Sequence, residues 1–266
     1  MAAENYIHSL YGRKVGVDES GALVVPGGVK TGPGGGLPMA GSGRVALFDD
    51  FLGDALLSPW GAFLGSDASG NVASVSVVAG AAGGVARLAG ADSTGTMAAD
   101  GAQLTSFLNW TAANGSLVFE ARVKLAVITN VAVFLGFTDL ITLEAPITSA
   151  ASADTITTNA TDAVGFMFDT SMATDTWWLT GVKNDVDAVA QNTGFAPVAA
   201  TYEVFRIEVA ADGTAYFYRN GVQVGTAMAN ALSPAIPLTP TFNIFPRTAA
   251  FGTQLDVDYV HVSMLR

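Results

Sequence analysis

Short runs of strand-forming residues follow one another from about Arg44 to Arg266, and turn residues separate them. In Ser116–Leu125 apolar residues alternate with charged ones, so one face of an extended chain is apolar and the other is charged. Val131–Thr138 is apolar on both faces, which is typical of a strand in the middle of a sandwich. No long stretch has the period of an amphipathic helix. This pattern predicts an all-β fold, either an antiparallel β-sandwich or a jelly roll.

Two turn sequences in the C-terminal half indicate hairpins. Asp212-Gly213 lies between the runs Glu203–Ala210 and Thr214–Arg219. Asn220-Gly221 follows and leads into Val222–Val224. Asp-Gly and Asn-Gly are favoured in hairpins because the tight turns need positive φ angles. The three runs are therefore predicted to form consecutive antiparallel strands.

The charge balance and the lack of cysteine exclude several classes of protein. The chain has 12 Lys and Arg against 23 Asp and Glu, and its net charge of −11 argues against binding to nucleic acid. Because there is no cysteine, disulfides, thiolate metal sites and cysteine nucleophiles are excluded. The two histidines, His8 and His261, lie at opposite ends of the sequence, so neither a histidine-rich metal site nor a Ser-His-Asp triad is expected. No organic cofactor is expected either.

Half of the residues are hydrophobic, yet no membrane span is expected. The best candidates, Leu125–Phe137 and Val77–Ala91, are too short to cross a bilayer, and they contain Asn130 and Arg87. No basic-then-apolar signal peptide opens the sequence. We therefore expect a soluble protein, made in a cytoplasm, that buries its excess of apolar surface against partners. A homotrimer is the favoured oligomer.

The N-terminal region differs in composition from the rest of the chain. Met1–Pro26 contains two short extended segments on either side of the turn Asp18–Gly21, which predicts a small hairpin. Gly27–Gly43 is rich in glycine and proline and has no stretch able to pack into a core. The sequence therefore predicts an extended N-terminal arm over residues 1–43 and one β domain over residues 44–266.

Three stretches of the predicted β domain carry a family resemblance. Leu47–Phe63 combines an Asp-Asp-Phe sequence with a following Trp, and Tyr202–Thr226 contains the two hairpin turns. Leu255–Leu265 has an Asp-Tyr-Val-x-Val core. In this order they resemble the opening strand, the hairpin and the closing strand of the concanavalin A-like lectin/glucanase sandwiches, a family that includes laminin G-like modules. The resemblance frames Leu47–Leu265 and implies a concanavalin A-like jelly roll.

Members of this family that cleave β-glucans carry the motif Glu-x-Asp-x-x-Glu, which supplies two carboxylates for retaining hydrolysis. The motif is absent from this sequence. Glu203 and Glu208 lie five positions apart, which places them on opposite faces of a regular strand. On this ground we expect the protein not to be an enzyme.

The start of the chain has a different resemblance. The sequence SLYGRKVGVDESGALVV followed by a glycine-rich arm resembles virion proteins of tailed bacteriophages, which join a particle-binding segment to a sandwich domain. This implies a non-enzymatic capsid decoration (cement) protein or head fibre on the capsid exterior, bound to the major capsid protein or another virion protein. The arm residues expected to contact that partner are Tyr6, Leu10, Tyr11, Arg13, Val15, Val24 and Val25.

The alternative is a carbohydrate-binding module that adsorbs to a host surface glycan. The adjacent Trp177 and Trp178 are the residues best suited to it, because a flat indole stacks on a sugar ring. Adjacent strand residues point to opposite faces, so at most one of the two indoles would be exposed. Burial of both, in the core or at an edge, is the competing interpretation.

Clustered acids could hold a structural calcium ion. The candidates lie near the opening and closing strands, which are commonly neighbours in such sandwiches: Asp49, Asp50, Asp54, Asp256 and Asp258. The competing interpretation is a set of solvent-facing acids. Asp162, like several other loop acids, is expected only to carry solvated charge.

Overall fold

The computed structural model describes residues 43–66, 70, 72–91, 95–149, 154–248 and 253–266, and three short strands before residue 43. The chain divides into two compact units, Met1–Ser42 and Gly43–Arg266. Within the described residues, no helix is both long and apolar enough to cross a membrane.

The N-terminal unit contains a small antiparallel sheet. Its strands are β1 (Ile7–His8), β2 (Lys14–Val17) and β3 (Leu23–Val24), in that order. β2 and β3 pair on either side of the predicted turn, as a hairpin requires. Of the residues predicted to contact a partner, Val15 and Val24 lie in these strands. The others lie outside the described residues: Tyr6, Leu10, Tyr11, Arg13 and Val25. Their role in binding stays a prediction.

The second unit is built almost entirely from strands. They are β4 (Arg44–Asp49), β5 (Gly61–Leu64), β6 (Ser74–Val77), β7 (Ala86–Ala89), β8 (Ala102–Thr105), β9 (Leu117–Leu125), β10 (Val131–Thr138), β11 (Ile147–Ser149), β12 (Ile156–Thr158), β13 (Ala163–Asp169), β14 (Trp177–Lys183), β15 (Val186–Asp187), β16 (Gln191–Asn192), β17 (Tyr202–Val209), β18 (Ala215–Arg219), β19 (Val222–Met228), β20 (Thr239–Pro246) and β21 (Gln254–Leu265). A short helix, α1 (Met97–Asp100), lies between β7 and β8.

These strands form two large antiparallel sheets. Sheet I has the order β15-β14-β13-β10-β20-β8-β5, with β16 beside β14. Sheet II has the order β19-β18-β17-β9-β21-β7-β6, with β4 beside β21. β11 and β12 form a separate two-stranded ribbon. The predicted antiparallel sandwich is therefore confirmed, including the hairpin turns that join β17, β18 and β19.

The core between the sheets follows from the alternation in the sequence. In β9 the apolar face that includes Phe119 is buried, while Glu120, Arg122 and Lys124 lie on the other face. Phe119 packs edge-on against Phe137 of sheet I, with 5.8 Å between the ring centroids. Burial of each such side chain stabilises the fold by about 1.5–3 kcal/mol. Aromatic contacts of this kind therefore join the two sheets along the core.

The outer face of sheet I is also covered. The connection between β10 and β13, described over residues 139–149 and 154–162, packs over it. Phe134, Met167 and Trp178 on this face share a cluster with Ile147 of β11. This cover explains why every residue of β10 is buried, as its apolar sequence predicted for a central strand.

Gly165 of β13 lies on this covered face. A β-carbon here would collide with the ring of Phe134 and the carbonyl oxygen of Leu135. We expect Gly165→Ala to lower the free energy of unfolding by about 1–3 kcal/mol, because extra volume in a packed site forces its neighbours to shift. Urea unfolding measures this change. Gly61→Ala in β5 is the matched control, since a β-carbon there meets open space. Equal losses in both variants would contradict the packing.

Candidate functional site

An open cleft of about 480 Å³ lies at the edge of sheet I where β5 pairs with β8. The loop before β5, the two strands, the segment after β8 and the β10–β13 connection all contribute to its walls. The lining residues are Ser58, Pro59, Trp60, Gly61, Phe63, Thr105, Ser106, Phe107, Leu108 and Ile141.

Trp60 is held in the cleft wall by two contacts. Its indole Nε1 donates a hydrogen bond to Asp49 Oδ2 at 2.8 Å. Its ring centroid lies 5.9 Å from that of Phe51, which is itself buried. These contacts fix the orientation of the indole, and because Trp60 is only 8% exposed it forms a buried part of the cleft wall.

Two large apolar side chains of the cleft are exposed to solvent. Phe107, two residues after the end of β8, is 57% exposed, and Ile141 of the β10–β13 connection is 48% exposed. Phe63 of β5 is half-buried beside them. Exposed apolar groups that gather around a cleft, instead of being scattered singly, indicate a binding surface.

Hydroxyl groups lie along the same wall. The Oγ1 atoms of Thr105 and Thr239 are 2.9 Å apart, and the backbone N–H of Ser106 donates to Thr239 Oγ1 at 3.0 Å. None of the ten lining residues carries a charge. The cleft therefore combines aromatic faces with hydroxyl groups in a neutral setting, which suits an uncharged ligand that has both apolar faces and hydroxyls.

A half-buried and a fully buried acidic residue lie at the two ends of the β10–β13 connection. Asp139 precedes Ile141 of the cleft by two positions, and its backbone N–H donates to the carbonyl oxygen of Asp162 at 3.0 Å. Asp162 is fully buried, and its Oδ1 accepts a hydrogen bond from the backbone N–H of Ser233. The expectation that Asp162 carries solvated charge in a loop is therefore wrong. Asp162 immediately precedes β13, and the segment that contains Ser233 contacts its side chain.

Burial raises the pKa of Asp139 above its ordinary value. The backbone N–H of Asp162 opposes this rise, whereas the negative charge of the Asp162 side chain adds to it. A carboxyl group whose folded-state pKa is raised stabilises the fold fully below the unfolded-state pKa of about 3.9. That contribution is lost as the pH rises through the folded-state pKa.

We therefore expect Asp139→Asn, which cannot ionise, to raise the melting temperature at pH 7 and to change it little at pH 3. Thermal unfolding at both pH values measures the difference. Asp175→Asn is the matched control, because Asp175 is exposed and the substitution removes the same charge. A gain of similar size at pH 3, or a loss at pH 7, would contradict the burial of an ionised Asp139.

Both tryptophans considered for sugar stacking are buried. Trp177 is 1% exposed and packs in the core, with its ring centroid 4.6 Å from that of Phe205. Trp178 is 4% exposed and lies under the β10–β13 connection. The two side chains do point to opposite faces of β14, but the core covers one face and the connection covers the other. Neither indole offers a free face to a sugar.

The acids considered for calcium are bound to donors in the protein. Both carboxylate oxygens of Asp49 accept hydrogen bonds, from Trp60 and from the backbone of Phe51. Asp256 pairs with Arg87 and Lys124, and Asp258 pairs with Arg122. Asp50 and Asp54 lie after β4. Within the described part of the chain, no group of three or more acidic or histidine side chains could hold a metal ion. Three of the acids considered for calcium, Asp49, Asp256 and Asp258, thus have hydrogen-bond or ion-pair partners in the protein.

The ion pair at Asp256 also sets the ionisation of that residue. Burial alone would raise the pKa of Asp256, but the hydrogen bonds from Arg87 and Lys124 outweigh burial and hold the pKa below its ordinary value.

Glu203 and Glu208 lie on β17 of sheet II, away from the face of sheet I on which the cleft lies, and they pair with Arg219 and Arg206. On the outer face of sheet I, Asp169 is fully buried and pairs with Arg247.

The cleft itself was not identified from the sequence. From the sequence, Trp60 was noted only as the tryptophan of the segment that resembles the family's opening strand. Phe107 and Ile141 belong to no motif, and nothing in an apolar residue's local sequence tells an exposed position from a core position. The one available signal is the location of Phe107 just beyond the apolar run of β8, where a strand has ended.

No protein-family model matches the sequence, and no curated protein matches it significantly. Solved structures do resemble it. A Bacillus licheniformis β-glucanase has a TM-score of 0.53 and 15% identity, covering 82% of this chain and 97% of its own. A glycoside hydrolase family 16 endo-glucanase from Bacteroides ovatus has a TM-score of 0.53 and 13% identity, covering 81% and 99%. The carbohydrate recognition domain of Emp47p has a TM-score of 0.53 and 9% identity, covering 83% and 94%.

These neighbours overturn the expected function. The expectation of a non-enzymatic bacteriophage structural protein is wrong, because the neighbours named above, which match over most of their length, are β-glucanases and a carbohydrate recognition domain. The fold that the sequence resemblance implied is confirmed. The second unit has the concanavalin A-like jelly-roll fold of the family 16 glucanases.

Proposed function

We propose that this chain is a carbohydrate-active protein that binds a neutral glycan in the cleft between the β5–β8 edge and Ile141. One observation carries the proposal: the exposed ring of Phe107 and the half-buried ring of Phe63 line the same cleft as the hydroxyl-bearing residues Thr105 and Ser106. A sugar ring has an apolar face of C–H groups and a rim of hydroxyls. An aromatic wall beside hydroxyl groups matches both parts of such a ligand.

The shared fold supports this proposal and suggests the first ligand to test. The neighbours named above are β-glucanases and a carbohydrate recognition domain. A β-linked glucan is uncharged, as the lining of the cleft is. Oligosaccharides of mixed-linkage β-glucan are therefore the first choice, and an acidic polymer such as polygalacturonate is the matched negative control.

Glycoside hydrolysis is a second candidate function, because the neighbours named above include β-glucanases. Hydrolysis needs a carboxylic acid in its protonated form, which donates a proton to the glycosidic oxygen. Burial raises the pKa of Asp139 in this direction, and Asp139 lies two positions from Ile141 of the cleft. Asp162 is the second carboxylate beside it. In this proposal Asp139 is the proton donor.

Calorimetric titration with a tetrasaccharide of mixed-linkage β-glucan tests binding. An assay for new reducing ends tests hydrolysis. We expect saturable binding of the neutral tetrasaccharide and none of polygalacturonate. Failure to bind any neutral oligosaccharide would overturn the proposal. Release of reducing ends that Asp139→Asn abolishes, while Asp175→Asn retains it, supports hydrolysis. Binding without release limits the function to recognition.

A further inference from the structure

Two carboxamide side chains with unused donors lie side by side on the outer face of sheet I. Gln103 of β8 and Asn243 of β20 are direct register partners, and both are fully buried. Gln103 Oε1 accepts a hydrogen bond from the backbone N–H of Glu144 at 3.3 Å. Asn243 Oδ1 accepts one from the backbone N–H of Phe134 at 3.1 Å. Neither Gln103 Nε2 nor Asn243 Nδ2 has a hydrogen-bond partner.

The identity of the unused atoms follows from the donors that face the amides. A backbone N–H can only donate, so the atom facing it must be the amide oxygen, and the nitrogen must occupy the other position. Exchanging oxygen and nitrogen would therefore break the existing bonds. Buried polar groups nearly always have a partner in native proteins. Two adjacent NH₂ groups without one therefore call for acceptor oxygens, which a buried water or a bound ligand supplies.

Gln103 adjoins the cleft on two sides. Its register partner in β5 is Phe63, and Thr105 lies two residues further along the same face of β8. Both of these residues line the cleft. Glu144, whose backbone lies over Gln103, comes three residues after the cleft residue Ile141. The cleft thus ends where the backbone of Glu144 passes over Gln103.

We propose that Gln103 and Asn243 form an inner subsite of the cleft, in which their amide nitrogens donate hydrogen bonds to hydroxyl oxygens of the bound glycan. The inference rests on the proposed function. Because both amides are fully buried in the free protein, residues 141–144 must move outward when the sugar enters. The sugar hydroxyls then supply the missing acceptors, and a sugar that lacks them is discriminated against.

Removal of either amide tests the subsite. Gln103→Met keeps the length of the side chain and removes the donor together with the oxygen that accepts from Glu144, and Asn243→Leu removes the donor together with the oxygen that accepts from Phe134. We expect each to weaken binding of the mixed-linkage tetrasaccharide at least tenfold in calorimetric titration. Thr180→Val is the matched control: it removes a fully buried hydroxyl from the same face of sheet I, three strands from Asn243 and four from Gln103, where it donates to the carbonyl oxygen of Gly165. We expect this control to change stability without changing affinity.

Amide hydrogen exchange of the unaltered protein provides a second measurement that does not depend on a variant folding. The N–H of Glu144 should exchange faster when the tetrasaccharide is bound, because its bond to Gln103 breaks as residues 141–144 move. If the protein binds the sugar while both variants keep full affinity and Glu144 exchange is unchanged, the amides hold only internal water. The subsite is then wrong and the proposed function stands. If the protein binds no glycan, both fail.

Discussion

Replacement of Arg247 by alanine is expected to lower the free energy of unfolding by about 3–5 kcal/mol, because it leaves a buried carboxylate without its cation. Asp169 is fully buried on the outer face of sheet I, and the Nε of Arg247 lies 2.8 Å from its Oδ1. Asp169 keeps hydrogen bonds from the hydroxyl of Thr148 and the backbone of Ser171. These neutral donors do not replace a guanidinium. Urea unfolding at neutral pH measures the loss.

The double variant Arg247→Ala/Asp169→Asn is the control for this prediction. It removes the charge that the single variant leaves buried, so we expect it to recover most of the lost stability. Cooperative unfolding curves with similar slopes would show that the fold is retained. A loss below about 1 kcal/mol for Arg247→Ala, or a double variant less stable than the single one, would mean that the ion pair does not stabilise this face.

Replacement of Phe107 by alanine is expected to weaken glycan binding about tenfold, which corresponds to about 1.4 kcal/mol. The benzyl side chain is the most exposed aromatic group of the cleft, so its removal takes away the surface on which a sugar face would lie. Because Phe107 is 57% exposed, the change in folding stability should stay within about 0.5 kcal/mol. Calorimetric titration with the mixed-linkage tetrasaccharide measures the affinity.

Phe48→Ala is the matched control for this variant. Phe48 is also a phenylalanine, is 62% exposed, and lies on β4 of sheet II, where it stacks on Tyr259 at 6.1 Å. We expect its removal to leave the affinity unchanged. If both variants lose affinity equally, binding follows general surface hydrophobicity. If only Phe48→Ala loses affinity, the glycan binds on sheet II.

The sandwich could be predicted because the order of apolar and polar residues within each strand shows which side chains are buried. Residues 117–125 alternate between apolar and charged side chains, and this alternation alone places Phe119 in the core and Glu120 on the surface. The hairpin turns at Asp212-Gly213 and Asn220-Gly221 fix the order of three neighbouring strands, because glycine tolerates their positive φ angles of 85° and 80°. These are local properties, and a single sequence contains them.

The cover on sheet I could not be predicted in the same way. The continuous apolar run of β10 shows that both of its faces are buried, but not what buries the outer one. The answer depends on long-range packing of the β10–β13 connection, which also buries Trp178. The pair Trp177-Trp178 therefore suggested a binding surface on a strand that has two covered faces.

The cleft depends on contacts that are even more distant in sequence. Trp60, Phe107 and Ile141 come from three separate segments and meet only because β5 pairs with β8 and the connection after β10 returns over the sheet. From the sequence, Asp162 is likewise expected in an exposed loop. In the structure it is fully buried, and its carboxylate accepts a hydrogen bond from the backbone N–H of Ser233. Such residues can be found only after the sheet order is known.

A crystal structure of the chain with the mixed-linkage β-glucan tetrasaccharide tests the proposed binding site most directly. We predict a sugar ring in the cleft, with its apolar face against Phe107 and a hydroxyl within hydrogen-bond distance of Thr105 or Ser106. A tetrasaccharide bound on another surface, with the cleft empty at a saturating sugar concentration, would contradict a carbohydrate site at the β5–β8 edge.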